Sequence, residues 1–320
     1  MLVYILFIIG FVLLIKGADV LVEGASSIAK RYNISEMVVG LTIVSFGTSL
    51  PELIINILSS MAGQSELAVG NVFGSNVANL LLILGVTALI CPLPIQRNTI
   101  LTEIPFSLIA TLLVGFLANA VLFSNDSELH ISRPDGFILL FFFLLFMAYI
   151  YNISKTNNDG SDQDEEITVM PMGKSVMFIL LGGCGLFLGG KWVVDGAINI
   201  AQTFGLSESF IGLTIVAIGT SLPELVTSAM AAYRRNIDIA VGNVVGSNIF
   251  NLLWILGISA VINPIPFSVV SNFDILMMIF ASTLPILAMP IGKRNTIDRW
   301  NGILFLFIYI GYIFFLIQRG

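Results

Sequence analysis

Charge is scarce in this sequence of 320 residues. Only 11% are Asp, Glu, Lys or Arg, while 57% are hydrophobic; soluble domains carry roughly 25% charged residues. That deficit excludes an ordinary water-soluble fold. Histidine is nearly missing, with His130 alone, and it falls in a loop between apolar runs. The two cysteines, Cys91 and Cys184, lie far apart at or within apolar segments. A soft-metal centre built on thiolate or imidazole is therefore excluded, and two buried thiols are expected in preference to a disulfide. The net charge of −6 comes from scattered loop acids and from a cluster at Asp159, Asp162, Asp164, Glu165 and Glu166. No basic pattern suits a nucleic-acid partner.

What the chain does have is apolar length. Ten stretches, at roughly 2–24, 37–61, 67–90, 102–124, 135–153, 173–198, 209–232, 238–262, 272–291 and 299–318, approach the ~20 residues that carry a helix across ~30 Å of hydrocarbon. The opening run Leu2 to Ile15 has no positive segment before it and no small-residue cleavage site close behind, so it reads as a first span and not as a secretory signal. An all-α membrane protein is expected, since a helix satisfies its own backbone in lipid. The lipid bilayer is its first partner.

The chain repeats itself. Ser35 to Leu53 recurs as Ser207 to Leu225 at an offset of 172, with 14 of 19 positions identical. Leu67 to Gly85 recurs as Ile239 to Gly257 at the same offset, again with 14 of 19 identical, and Pro92-Leu93-Pro94 matches Pro264-Ile265-Pro266. This divides the chain into a first five-helix repeat at 1–153, with its repeated motif at 40–85, a short acidic linker at 154–172, and a second five-helix repeat at 173–320, with its motif at 212–257. An odd number of crossings per half makes the second half enter from the opposite face, so the repeats are inverted, as in many secondary transporters. Lys30, Arg31, Arg97, Lys155, Lys174, Arg234, Arg235, Lys293, Arg294 and Arg299 fall on one face, against Arg133 and Arg319 on the other. The richer face is expected to be cytoplasmic, with both termini outside.

Glu52 and Glu224 fall near the middle of otherwise apolar spans, at equivalent positions. Each costs about 2.5 to 3.5 kcal/mol to insert, so each is expected to have a function. Neither has an obvious basic partner at its depth, and together they present two negative charges that a divalent cation would cancel. Each follows a helix-damaging run, Gly47-Thr48-Ser49-Leu50-Pro51 and Gly219-Thr220-Ser221-Leu222-Pro223. Proline lacks the N–H and its ring crowds the carbonyl four residues back, which leaves carbonyls in the neighbourhood of Ser45, Gly47, Ala217 and Gly219 available to an ion. Helices 2 and 7 are thus expected to be broken.

Spacing extends the set. Thr48 and Ser49 share a helix face with Glu52, as Thr220 and Ser221 do with Glu224. The next spans add Ser75 with Asn79 and Ser247 with Asn251, each four residues apart, and Asn71 and Asn243 lie one turn earlier. Carboxylate, hydroxyl, amide and carbonyl oxygens are hard ligands that suit Ca²⁺, with its six to eight oxygens, and serve Na⁺ equally. Small and hydroxylated residues also mediate helix packing in membranes, which is the competing reading for each neutral member. Packing does not call for the two glutamates.

At these two blocks the sequence resembles the sodium/calcium exchanger family, within the cation/calcium antiporter superfamily, whose two alpha repeats carry G-T-S-x-P-E and G-N-x-x-G-S-N. The resemblance is to prokaryotic-type members and covers both halves. It implies an antiporter, not an enzyme, that exchanges sodium for calcium without a cofactor. It also implies an ion site made of Glu52, Thr48, Ser49, Ser75 and Asn79 with Glu224, Thr220, Ser221, Ser247 and Asn251, plus the carbonyls of Ser45 and Ala217. The first helix of each half would slide against the other eight to alternate access. Many relatives carry Asp where this chain has Asn251, a departure that bears on affinity, sodium number and potassium dependence. Proton/calcium exchangers usually carry an acid within the Gly-Ser-Asn portion, so Gly74-Ser75-Asn76 and Gly246-Ser247-Asn248 favour sodium over protons.

Other readings remain at this level. Coupling to protons or potassium is one, and a cation channel with a charged, broken helix is another. An intramembrane hydrolase would need an activating base near Ser49 or Ser221, and no histidine or lysine lies at that depth. The loop Asn157 to Glu166 reads as a solvated linker, too short for a folded calcium-binding domain. Glu23 and Asp195 read as span-end acids that could line ion entrances. A monomer is a plausible unit.

Overall fold

Helices make up almost all of the computed structural model, which describes residues 2–63, 65–120, 129–156, 169–204, 217–288 and 295–319. Among these, eight helices are long and apolar enough to cross a membrane, and a bent pair adds a further candidate span. In chain order they are α1 (Leu2–Tyr32), the bent pair α2 (Glu36–Thr48) and α3 (Leu50–Met61), α4 (Val69–Ile90), α5 (Arg97–Ala118) and α6 (Arg133–Lys155). There follow α7 (Met172–Thr203), the short α8 (Ala217–Thr220), α9 (Leu222–Tyr233), α10 (Ile237–Ile262), α11 (Val269–Ala288) and α12 (Arg299–Arg319). The expected seventh span begins at 209, and its residues 209–216 lie outside the described residues, as do the acidic cluster at 159–166, Lys293 and Arg294.

Two helices overrun their expected ends. α1 continues to Tyr32 and α7 to Thr203, where apolar length had suggested residues 24 and 198. The extension of α1 carries Ala25, Ser26, Ser27 and Ala29, all buried: protein replaces lipid there, so hydropathy no longer marks the helix. At 31 residues α1 is about 46 Å long, more than the hydrocarbon core requires.

α1 and α7 lie against each other in opposite directions with almost no side chain between them. A Cβ built on Gly10 would come 2.9 Å from the carbonyl oxygen of Gly189, and one on Gly17 would come 2.9 Å from that of Gly182. Conversely, a Cβ on Gly182 would be 2.7 Å from the Gly17 oxygen, and one on Gly189 2.8 Å from the Gly10 oxygen. These distances leave room for hydrogen only. Glycine at every seventh residue keeps the two backbones in contact, and in lipid, where apolar side chains gain little from pairing, such close approach is a main source of helix association.

α4 and α10 form the centre of the bundle. In their best apolar windows 72% and 78% of residues are buried within the protein, against 28–39% for the other long spans. α5, α6, α11 and α12 surround them and turn Phe116, Phe141, Leu276 and Phe307 outward. Two short strand pairs tie the halves together. β1 (Leu93–Pro94) pairs antiparallel with β4 (Thr296–Ile297), and β2 (His130–Ile131) with β3 (Ile265–Pro266). His130, expected in a loop, is part of β2.

The expected burial of both thiols holds for neither cysteine in full. Cys184 is exposed on α7 and Cys91 is half-buried, and both are free. An apolar position in a membrane helix can face lipid as readily as protein.

Candidate cation-binding site

The helix breaks set the geometry. Ser49 has φ −86° and ψ 5°, and Ser221 has φ −89° and ψ 7°, so each lies between helical legs and not within one. Pro51 and Pro223 take the second position of α3 and α9, where a missing N–H is harmless because the first turn has no partner for it. The prolines therefore begin new helices. Glu52 and Glu224 fall in the first turn of those helices, opposite the ends of α2 and α8.

Both glutamates are buried, each at 1% exposure. Arg234 pairs with Asp19 and Glu23, and Arg319 with Asp274, away from the two glutamates. The two carboxylates are near enough for their charges to act on each other. Glu224 accepts a hydrogen bond from the Ser49 hydroxyl at 2.9 Å, which crosses from one half to the other. Both carboxylate oxygens of Glu52 and Oε2 of Glu224 are buried without a hydrogen-bond partner. Such groups in a dry interior are costly unless a ligand satisfies them.

The central helices supply amides in crossed pairs. Asn79 donates from Nδ2 to Asn248 at 3.0 Å, and Asn251 donates to Asn76 at 3.1 Å. Because 251 is 79 plus 172 and 248 is 76 plus 172, the two bonds are one contact repeated by the internal duplication. Each bond uses up an amide N–H and leaves the carbonyl oxygens, Asn79 Oδ1 and Asn251 Oδ1, buried and unpaired. Asn79 and Asn251 sit in wide π-type turns at Ala78–Ile83 and Phe250–Ile255. Turns of this kind recur at functional sites because the extra residue redirects side chains.

Of the other expected residues, Ser75, Ser221 and Ser247 are buried, and the Oγ of Ser75 and of Ser221 has no partner. Ser247 bonds with Ser49 at 3.1 Å. Thr48 is fully buried and donates to Asn243 at 3.0 Å, and Asn243 in turn donates to Ser228 at 2.9 Å. Thr220 and Asn71 are half-buried. The Ser45 carbonyl accepts from Ser49 N at 3.0 Å and from Thr48 Oγ1 at 3.3 Å. In the second half Ser221 N donates to the Ile218 carbonyl at 3.2 Å. Sequence reasoning assigned no role to Asn76, Asn248 or Ser228. The first two stand inside the duplicated Gly-Ser-Asn block, which was their available signal.

The arrangement is a buried cluster of oxygen acceptors around two carboxyl groups, with few donors. No group of three or more His, Cys, Asp or Glu placed to hold a metal ion occurs among the described residues, so neutral oxygens make up most of the set. Such a set holds a hard cation and gives no purchase to a soft one.

These features define a polytopic membrane protein with a pair of buried carboxylates between two repeated broken helices. The chain belongs to the sodium/calcium exchanger protein family, whose profile matches residues 2–152 and 174–318. It is 32% identical over 340 residues to the sodium/calcium exchanger MaX1 of Methanosarcina acetivorans, covering 97% of both chains. It is 39% identical over 266 residues to the inner membrane protein YrbG of Escherichia coli (strain K12), covering 81% of this chain and 79% of that one. Its fold is similar to that of the sodium-calcium exchanger NCX_Mj soaked with 10 mM Na⁺ and no Ca²⁺, with a TM-score of 0.82, 31% identity and 98% of each chain covered.

Proposed function

We propose that this protein exchanges sodium for calcium across the membrane by alternating access, with the ion site formed by Glu52, Glu224 and the oxygens around them. One observation carries the reading. Two equivalent carboxylates are buried together, without a basic partner among the described residues, and three of their four oxygens lack a hydrogen bond. A bound cation supplies what those oxygens lack. One Ca²⁺ cancels both charges, and Na⁺ ions on overlapping oxygens do the same. Without an ion the pocket leaves buried carboxylate oxygens with no counter-charge in a medium of low dielectric, and this hinders passage between the two access states. Loading with either ion removes the barrier, which produces exchange instead of leak.

The packing supports a choice of moving parts. α1 and α7, in backbone contact through their glycines, form one smooth unit that slides past the rest. The antiparallel course of these equivalent helices supports ten crossings arranged as two inverted five-helix repeats, with the divisions at 1–153, 154–172 and 173–320. By the bias of Lys and Arg, both termini lie outside and the 154–172 linker inside. An inward sodium gradient then drives calcium out.

The test is uptake of ⁴⁵Ca²⁺ into proteoliposomes loaded with Na⁺. We expect uptake to need the outward Na⁺ gradient, and to fail when a proton or potassium gradient replaces it. Glu52→Gln and Glu224→Gln should each abolish it. Uptake at the wild-type rate in both variants would overturn the site, and uptake without any counter-ion gradient would favour a channel.

A further inference from the structure

A second buried carboxylate lies away from the transport pair. Glu103 is 3% exposed and accepts a hydrogen bond from the Tyr149 hydroxyl at 2.6 Å through Oε1. Its other oxygen, Oε2, is buried and has no partner. Glu103 lines a cavity of about 360 Å³ together with Ser35, Asn98, Thr99, Thr102 and Tyr149. A single water needs only about 10–15 Å³ of such space, so an ion with part of its hydration shell fits. No Lys or Arg among the described residues makes an ion pair with Glu103. Arg97 is exposed, and Lys155 is folded over the Tyr151 ring at 4.2 Å.

Position in the fold explains part of this. The α5 helix is interrupted at Thr102 (φ −129°, ψ −63°), and Glu103 opens its longer segment, where the helix N-terminus favours a negative charge. That field accounts for an acid at the site. It does not account for a carboxylate oxygen buried beside this cavity with nothing bonded to it. Carbonyl, hydroxyl, phenol and carboxylate oxygens are hard ligands, and a lone carboxylate balances a single positive charge. An adjoining cavity of about 250 Å³ shares Gln96 with this one, and Gln96 donates a hydrogen bond to Asp238 there at 2.6 Å.

We propose that Glu103 anchors a binding site for a monovalent alkali cation, Na⁺ or K⁺, separate from the transport site. The cavity also touches Met37, Val38 and Leu41 of α2, and α2 leads directly to Ser45 and Thr48. An ion held there braces the leg of the broken helix that forms one wall of the transport pocket, so the site acts as a regulatory one.

The experiment uses the full-length protein in detergent with Glu52→Gln and Glu224→Gln in place, so that the transport carboxylates are neutral. Binding of Na⁺ is followed by broadening of its ²³Na resonance in choline chloride, with KCl as competitor. We expect saturable broadening in this background, and at least a tenfold loss of affinity when Glu103→Gln is added. Displacement by K⁺ at lower concentration than Na⁺ identifies potassium as the preferred ion, and weaker displacement identifies sodium. No saturable binding in the background, or unchanged binding with Glu103→Gln, overturns the proposal. Should Glu103→Gln fail to yield folded protein, Glu103→Asp, which keeps the charge but retracts it by one methylene, is expected to weaken Na⁺ at least threefold. Equal affinity in that variant also overturns it. Because the transport pair is already neutralised, the result stands whether or not Glu52 and Glu224 carry calcium.

Discussion

Asn79 and Asn248 are joined by a hydrogen bond of 3.0 Å between halves of the chain that the sequence separates by 169 residues, and the duplication supplies its twin between Asn251 and Asn76. The bond fixes which end of the Asn79 amide faces the pocket. With N–H committed to Asn248, only the oxygen is available to a cation. Asn248→Ala removes that restraint without touching a proposed ligand. We expect the calcium concentration for half-maximal uptake to rise about tenfold, matching the ~1–3 kcal/mol of an unpaired buried polar group, while the maximal rate changes much less. Asn76→Ala should behave alike through Asn251. An unchanged half-maximal concentration in both variants would show that the amides orient themselves.

The two halves are similar but not equal in their hydrogen bonds around the carboxylates. Ser49 donates to Glu224 and bonds with Ser247, whereas its counterpart Ser221 has an Oγ without a partner. Ser49→Ala should therefore lower the melting temperature in chelator by several degrees, corresponding to about 1–3 kcal/mol. Ser221→Ala should leave it within a degree or so. Differential scanning fluorimetry of both variants checks the difference, and equal losses would remove the asymmetry.

How much of this was legible in the sequence depends on the kind of interaction. Glu52 and Glu224 stood out because a carboxylate is conspicuous among apolar residues, and the offset of 172 revealed which residues correspond. The π-type turns at Asn79 and Asn251 were not legible, since the same residues satisfy ordinary helical spacing. Nor were the crossed amide pairs, because they join helices whose relative register only packing decides. Glu103 escaped notice for another reason. It stands one residue into an expected span, where acids are commonly solvated, and only the fold shows that protein closes over it. The end of α1 was underestimated because Ser26, Ser27 and their neighbours are buried by protein and not by lipid.

The proposed sliding of α1 with α7 as one unit makes a sharp demand on glycine. A Cβ at Gly182 would stand 2.7 Å from the Gly17 oxygen and 2.8 Å from Leu21 N, whereas one at the adjacent Gly183 would meet nothing within 4 Å. Gly182→Val should force the two backbones apart, at roughly 1–3 kcal/mol of overpacking, and should cut sodium-driven calcium uptake at least tenfold. Gly183→Val is the matched control, with the same change in volume and helix propensity. It should transport within twofold of the parent. Similar rates in the two variants would mean that close contact of α1 and α7 is dispensable for transport.

Asn251 offers the most direct test of charge balance in the pocket. Its Oδ1 is buried and unpaired, and Nδ2 is held by Asn76. Asn251→Asp would add a third carboxylate and at the same time lose the donor to Asn76. In the ion-free protein this increases repulsion among buried like charges, so the melting temperature in chelator should fall. With Ca²⁺ bound, the extra charge lies against a dication, and the stabilisation on adding calcium should exceed that of the parent. Sodium should gain less, because each Na⁺ carries half the charge at a similar radius. The expected signature is thus a less stable ion-free state, a lower half-maximal calcium concentration and a steeper sodium requirement to release calcium. Were Asn251→Asp to leave calcium stabilisation unchanged, residue 251 would lie outside the coordination sphere, and the pocket would rest on Glu52 and Glu224 with hydroxyl oxygens alone.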